Sequence, residues 1–109
     1  MDFITDARTD VRVIHLIGEL DAASTLQLRN ELGRVTNTAA DRILLDLTEV
    51  RQVGRDGLGL IAAAARRAKQ TGARMALADP HHRVGRALAQ TGVEIHASVG
   101  AGAAAVART

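Results

Sequence analysis

The stretch Ile43-Leu44-Leu45-Asp46-Leu47-Thr48-Glu49-Val50-Arg51-Gln52-Val53-Gly54-Arg55-Asp56-Gly57-Leu58-Gly59-Leu60-Ile61 decides how the chain folds. Ile43–Leu47 is a short, nearly unbroken apolar run. A strand with one wet face alternates in polarity; an unbroken run suits a strand buried on both faces, as in a parallel sheet. Past the glycines, the Ala-rich segment Gly57–Gln70 places Leu58, Ile61, Ala62, Ala65 and Ala68 at the spacing of one helix face. Arg66, Lys69 and Gln70 then face water, and Gly72 supplies the stop.

The reading extends outward in both directions. Val11–Ile17 is rich in β-branched residues and predicts a strand. Phe3–Ala7 predicts a shorter one, joined to it as a hairpin through Arg8-Thr9-Asp10. Ser24 stands as a helix N-cap with Gln27 completing a capping box, and Leu28, Leu32 and Val35 form the apolar stripe of a helix ending near Asn37. Downstream, Arg74–Ala78 predicts a strand closed by Asp79-Pro80. Val84, Ala87, Leu88 and Thr91 are spaced for a helix stopped by Gly92, and Val93–Ala97 predicts a last strand. The tail 99–109 is low in complexity, either a short helix from about Ala101 or a frayed end. The order β-β-α-β-α-β-α-β predicts one α/β domain over residues 1–109, with a mixed sheet and no linker or repeat. Right-handed crossovers gather strand ends and helix starts on a common rim.

Composition narrows the function. The chain has 109 residues, enough for one domain, with a net charge of +2, 47% apolar and 24% charged residues. No cysteine is present, which excludes disulfides, thiolate metal sites and cysteine nucleophiles. Phe3 is the single aromatic residue, so the core is aliphatic and no base-stacking platform exists. The arginines are scattered from Arg8 to Arg108 rather than gathered, which also speaks against nucleic-acid binding. No apolar run approaches the ~20 residues needed to span a bilayer, and Met1–Asp6 lacks the pattern of a signal peptide. A cytoplasmic protein that binds no membrane is expected.

The candidate functional residues cluster at loop positions. In Gly54-Arg55-Asp56-Gly57-Leu58-Gly59, Asp56 is expected at the N-cap of the Ala-rich helix, where its carboxylate accepts first-turn amides and meets the positive end of the dipole. Gly57 and Gly59 leave that turn bare, either as a well-capped tight turn or as a docking point for another backbone. The spacing and Lys of a phosphate-binding loop are missing. Gly18-Glu19-Leu20-Asp21 is expected to follow the long strand as a loop. Its two carboxylates are an acid–base pair in one reading; in the blander one, Asp21 is a cap. Leu26 points away from the Leu28, Leu32 and Val35 stripe and is a candidate for a binding patch. His81 and His82, adjacent on a helix, diverge by about 100° and cannot easily chelate one ion. His15 is expected to face solvent and His96 is isolated, so no metal site or other cofactor is expected.

Together these pieces resemble the STAS family of sulfate-transporter C-terminal and anti-sigma-factor-antagonist domains. The resemblance runs through Gly18–Asp21, Leu45-Asp46-Leu47-Thr48-Glu49-Val50, Gly57-Leu58-Gly59, Asp79-Pro80 and Thr91-Gly92. It implies a STAS-like fold, a mixed sheet with helices packed between and beside the strands. It also implies a stand-alone bacterial anti-sigma factor antagonist, without enzymatic activity, whose partner is an anti-sigma factor, often of serine-kinase type. In that family, phosphorylation of a serine at the start of the second helix breaks the complex. The implied partner-binding residues are Asp21, Ser24, Leu26, Gly54, Arg55, Asp56, Gly57, Leu58 and Gly59. The chain departs from the usual Asp-Ser-Ser-Gly-Leu-Gly: Asp56 occupies the phosphoacceptor position and carries no hydroxyl, Gly54 replaces the Asp, and Arg55 adds a cation. One fixed negative charge stands where phosphoserine would bring about −1.5 to −2. Ser24, Thr25, Thr48 and Ser98 remain as hydroxyls elsewhere. The alternative implied by the resemblance is a nucleotide- or small-ligand-binding sensor, against which the charge of Asp56 at the helix start counts.

Overall fold

A computed structural model describes residues 2–8, 11–36, 42–84, 88, 91 and 93–107. Its elements are β1 (Asp2–Arg8), β2 (Val11–Leu20), α1 (Ala22–Thr36), β3 (Arg42–Val53), α2 (Arg55–Thr71), β4 (Arg74–Ala78), β5 (Glu94–His96) and α3 (Val99–Ala107). The five strands form one sheet in the order β1-β2-β3-β4-β5. β1 runs antiparallel to β2, and the remaining neighbours are parallel. This is the mixed α/β sheet the sequence predicts.

β3 shows why its sequence is an unbroken apolar run. Ile43, Leu45, Leu47 and Val50 pack with Leu28 and Leu32 of α1 and Ile61 and Ala65 of α2. Leu44, between them, points to the opposite face, where it joins Val11, Val13, Ala76 and Ala78 beneath Val99 and Ala103 of α3. Both faces of the strand are therefore covered. Leu44, Leu45 and Leu47 are fully buried, each contributing about 1.5–3 kcal/mol of transfer free energy. α2 ends as Gly72 predicts: Gly72 has φ +78°, and the Ala73 N–H returns to the Ala68 carbonyl at 2.9 Å.

Three expectations are corrected, and the short-helix reading of the tail holds. Gly18–Leu20 is not a loop after the strand, because β2 continues to Leu20 and only Asp21 connects it to α1. β3 also continues, to Val53, and pairs Glu19 with Gln52 and Leu20 with Val53, so ladder hydrogen bonds override the polar pattern. Two register shifts, between His15 and Ile17 and between Gly18 and Glu19, absorb the extra length, with Gly18 at φ +116°. His15 does not simply face solvent: its Nδ1 lies 2.6 Å from Asp46 Oδ2 on the neighbouring strand. The last strand is only Glu94–His96. The tail is helical from Val99, two residues before Ala101, and the Ser98 Oγ accepts the Ala101 N–H at 3.1 Å. Of the helix expected over Val84–Thr91, Val84, Leu88 and Thr91 are described; the Leu88 N–H donates to the Val84 carbonyl at 3.1 Å, one helical turn. Asn37, Ala87 and Gly92, expected helix or boundary positions, lie outside the described residues, as does the hairpin tip at Thr9-Asp10.

Candidate functional site

The parallel strands β2, β3 and β4 deliver their C-terminal ends to one rim. At the end of β2, Asp21 caps α1. Its Oδ1 accepts the Ser24 N–H at 3.0 Å, and the Ser24 Oγ accepts the Asp21 N–H at 2.8 Å. This is a reciprocal capping box with Ser at the third helical position. The Ser24 amide, and then its hydroxyl, hold the Asp21 carboxyl below its usual range. Ser24 is therefore not the N-cap, and its pairing with Gln27 does not form. β2 ends at Leu20 and presents Asp21 first, which caps as well as Ser. The Ser24 hydroxyl also lies 2.8 Å from the Glu19 carbonyl, its acceptor, and the residue is 4% exposed. Thr25 is likewise buried, its Oγ1 without a hydrogen-bond partner. Neither hydroxyl presents itself to a kinase in this conformation.

At the end of β3, Gly54 is the N-cap of α2, in extended conformation, with no side-chain cap. Its N–H donates to the Leu20 carbonyl at 2.8 Å and its carbonyl accepts the Leu58 N–H at 3.0 Å, tying β2 to the start of α2. A Cβ on Gly54 would stand 3.2 Å from that same carbonyl oxygen. Asp56 is thus not the N-cap; it is the second residue of the helix, exposed, where its charge still favours the dipole. Arg55, the first helical residue, is exposed and opposes that dipole. Gly57 is not bare surface either. It is buried, and an added Cβ would fall 2.5 Å from Leu20 Cδ2 and 2.6 Å from its Cγ. Its lack of a side chain lets α2 sit directly on Leu20. Leu58 is half-buried against the core. Gly59 alone of these glycines is exposed with open space around it.

At the end of β4, Asp79 is 2% exposed. Its Oδ1 accepts the Arg83 N–H at 2.8 Å and its Oδ2 the Val84 N–H at 2.9 Å. The Asp79 N–H donates to the His96 carbonyl at 2.9 Å, anchoring the turn to β5. His82 completes that turn at φ +56°. Arg83 then reaches across, its Nε–H donating to the Val50 carbonyl at 3.2 Å. Arg83 does not stand out in the sequence; its signal is Asp79, placed four and five residues ahead of the amides it holds.

Leu26, on α1, is 57% exposed, and with Ile4 at 55% is one of two large apolar residues so exposed among those described. Arg51 Nε lies 4.0 Å from Glu19 Oε1, a loose contact between two exposed side chains. A groove of about 280 Å³ lies away from the rim, between the last turns of α2 and the start of β4, lined by Ala65, Ala68, Met75, Val93 and others. Among the described residues, no group of three or more His, Asp or Glu side chains is arranged to hold a metal ion. The rim thus carries Glu19, Asp21, Arg51, Arg55, Asp56, His81, His82 and Arg83 as exposed polar side chains.

A family model described as the STAS domain matches residues 2–100. No curated protein matches the chain. Among solved structures, TM1081 from Thermotoga maritima superposes with a TM-score of 0.85 at 22% identity, covering 97% of this chain and 95% of that one. The Bacillus anti-sigma factor antagonist SpoIIAA in its unphosphorylated form gives a TM-score of 0.77 at 23% identity, covering 95% of this chain and 96% of SpoIIAA. Its phosphorylated form gives 0.77 at 21% identity, covering 96% and 99%. Identities this low establish the shared fold.

Proposed function

The chain belongs to the STAS domain family, and on that premise we propose that it is a non-enzymatic protein-binding module that sequesters an anti-sigma factor and so governs sigma-factor-dependent transcription. The observation that carries the reading is the start of α2. Gly54 and Gly57 fit the helix closely against Leu20, while Asp56 is left exposed in the first turn. SpoIIAA, which shares the fold, exists in unphosphorylated and phosphorylated forms. Here the equivalent position holds a carboxylate that no serine kinase can modify. The charge at this turn is fixed rather than switched, and the partner is selected to accept it or is excluded by it. The same charge closes the helix start to anionic ligands, so a nucleotide-sensing role draws no support from the geometry. The proposal places the protein in the cytoplasm. No helix among the described residues is long and apolar enough to cross a membrane.

The test is Asp56→Ser, titrated calorimetrically beside the native chain against purified anti-sigma factors. Stability should fall by only about 0.3–1 kcal/mol, the value of a carboxylate in the first turn. Binding should change by more. A variant that gains a kinase-type partner shows the native domain to be locked off. A loss of about 1.5–3 kcal/mol shows Asp56 engaging a partner cation. Unchanged affinity for every partner would reduce Asp56 to a structural residue and overturn this reading of the turn.

A further inference from the structure

β1 and the far half of β2 lie beyond the reach of α3. Phe3 packs with the core beneath α1 and α2, and the Thr5 hydroxyl donates to Glu31 of α1 at 2.9 Å, so β1 turns Phe3 and Thr5 to that layer. Successive strand side chains alternate, which puts Asp2 and Ile4 on the opposite face of the sheet. There α3 seats Val99 and Ala103 on Val11, Val13, Leu44, Ala76 and Ala78, and on β2 this apolar contact ends at Val13. Beyond it the register lays out two cross-strand rows: Ile4, His15 and Asp46, then Asp2, Ile17 and Glu49. Ile4 is 55% exposed, Asp2 and Glu49 are exposed, and Ile17 stands half-buried between them.

This open area is apolar along its middle and acidic at its sides. Each row crosses three strands, about 10 Å, so Asp2 and Glu49 flank Ile17 at about 5 Å on either side. Asp46 lies in the sheet below, held by His15 and Thr48. The nearby cations do not neutralise these groups. Arg51 lies 4.0 Å from Glu19, where the face meets the rim, and those two charges offset each other. Asp6 and Arg8 give β1 one further charge of each sign. Arg42 stands about 20 Å along β3 from Glu49, and α3 carries no charged residue. Even with His15 protonated against Asp46, Asp2 and Glu49 remain unbalanced, and the area is net negative.

We propose that this area is a second docking surface, and that its occupant is a basic amphipathic α-helix of a partner protein, lying beside α3. The width argues for a helix: the strip across β1, β2 and β3 matches the diameter of one helix with its side chains, about 10–12 Å. A helix there completes the layer that α3 half builds. Its apolar stripe covers Ile4 and Ile17, and lysines or arginines on its flanks meet Asp2 and Glu49. The surface is separate from the start of α2 and does not depend on the function proposed for that turn.

The probe is a fluorescently labelled helical peptide of leucine and lysine, with leucines at i, i+3, i+4 and i+7. It is titrated by anisotropy against the native chain, Ile4→Ser, Glu49→Lys and the control Gln70→Lys, which is exposed on α2 across the sheet. The native chain should bind it saturably, and more weakly at high salt. Ile4→Ser and Glu49→Lys should each weaken binding about tenfold or more, and Gln70→Lys should bind as the native chain does. Amide NMR shifts should move at Ile17 and Glu49 and stay put on α1 and α2. Circular dichroism checks that Ile4→Ser is folded; if it is not, Glu49→Lys decides alone. No saturable binding, equal binding by all four proteins, or shifts centred on α1 and α2 overturns the inference. So does equal binding of a proline-interrupted peptide of the same composition, which makes the occupant an extended segment. A native chain that dimerises through Ile4 overturns it as well, since the occupant is then a second copy. None of these results alters the outcome of the Asp56→Ser titration against anti-sigma factors.

Discussion

Asp46 is the one charged residue inside the apolar run of β3, and both its oxygens are occupied. Oδ1 accepts the Thr48 N–H at 2.9 Å together with the Thr48 hydroxyl, and Oδ2 lies 2.6 Å from His15 Nδ1. Burial alone would raise its pKa, but the hydrogen bonds from Thr48 and His15 outweigh it, and the carboxyl titrates below its usual range. A lowered folded-state pKa means that ionised Asp46 stabilises the fold above the ordinary carboxylate value. That stability is lost as pH falls from there through the lowered pKa. Asp46→Asn should therefore cost about 1–2 kcal/mol at neutral pH, and the difference from the native chain should shrink in acid below about pH 4. Urea denaturation across a pH series reads it out; a difference independent of pH would show that packing, not charge, is at stake. The sequence showed Asp46 as an interruption but not its partner. The β2–β3 register that sets His15 opposite Asp46 joins residues 31 apart, beyond any local pattern.

At the scale of the element, the start of α2 separates three glycines that read alike in the sequence. Gly54 avoids a carbonyl, Gly57 avoids the Leu20 side chain, and Gly59 avoids nothing. Gly59→Ala should accordingly stabilise by about 0.5–1 kcal/mol through helix propensity. Gly57→Ala gains the same propensity but must displace Leu20, and should cost about 1–3 kcal/mol net. In a Leu20→Ala background the obstruction is gone, and Gly57→Ala should become neutral or stabilising. Thermal denaturation of the four-member cycle measures this coupling, and additivity would refute the packing account. The existence of α2 and its stop at Gly72 were legible, because apolar spacing and a terminal glycine are local. Its first residue was misplaced by two positions; for α1, of the two caps read from the sequence, Asp21 holds and Ser24 lies three residues inside the helix. Asp, Ser and Gly all cap well, and the choice among them was made by where β2 and β3 stop pairing.

For the whole molecule, the decisive arrangement is a sheet covered unequally. α1 and α2 pack on one face, while the short, small-residue helix α3 covers the other. Gly102 of α3 approaches Leu44 so closely that a Cβ there would lie 2.8 Å from Leu44 Cδ1. Ending the chain at Ser98 should uncover Val11, Val13, Leu44, Ala76 and Ala78 together. The truncated protein should bind a hydrophobic dye and self-associate in sedimentation more strongly than the full chain. A monomeric, dye-silent truncation would show α3 to be dispensable. The α/β class and the mixed sheet were legible because an apolar run covered on both faces admits few alternatives. The role of the tail was not, since an Ala- and Gly-rich segment takes its structure from the surface it lands on.

The bulged end of β2 has a kinetic consequence. Two register shifts and the left-handed Gly18 interrupt the ladder shortly before Glu19 and Asp21. Backbone amides from Ile17 to Asp21 can exchange with solvent deuterium through small local openings, whereas those of Ile43–Leu47 must wait for the sheet to come apart. The edge proposed for docking should therefore open more readily than the sheet behind it. A bound partner should announce itself as slowed exchange along this short length of β2, without any change at the centre of β3.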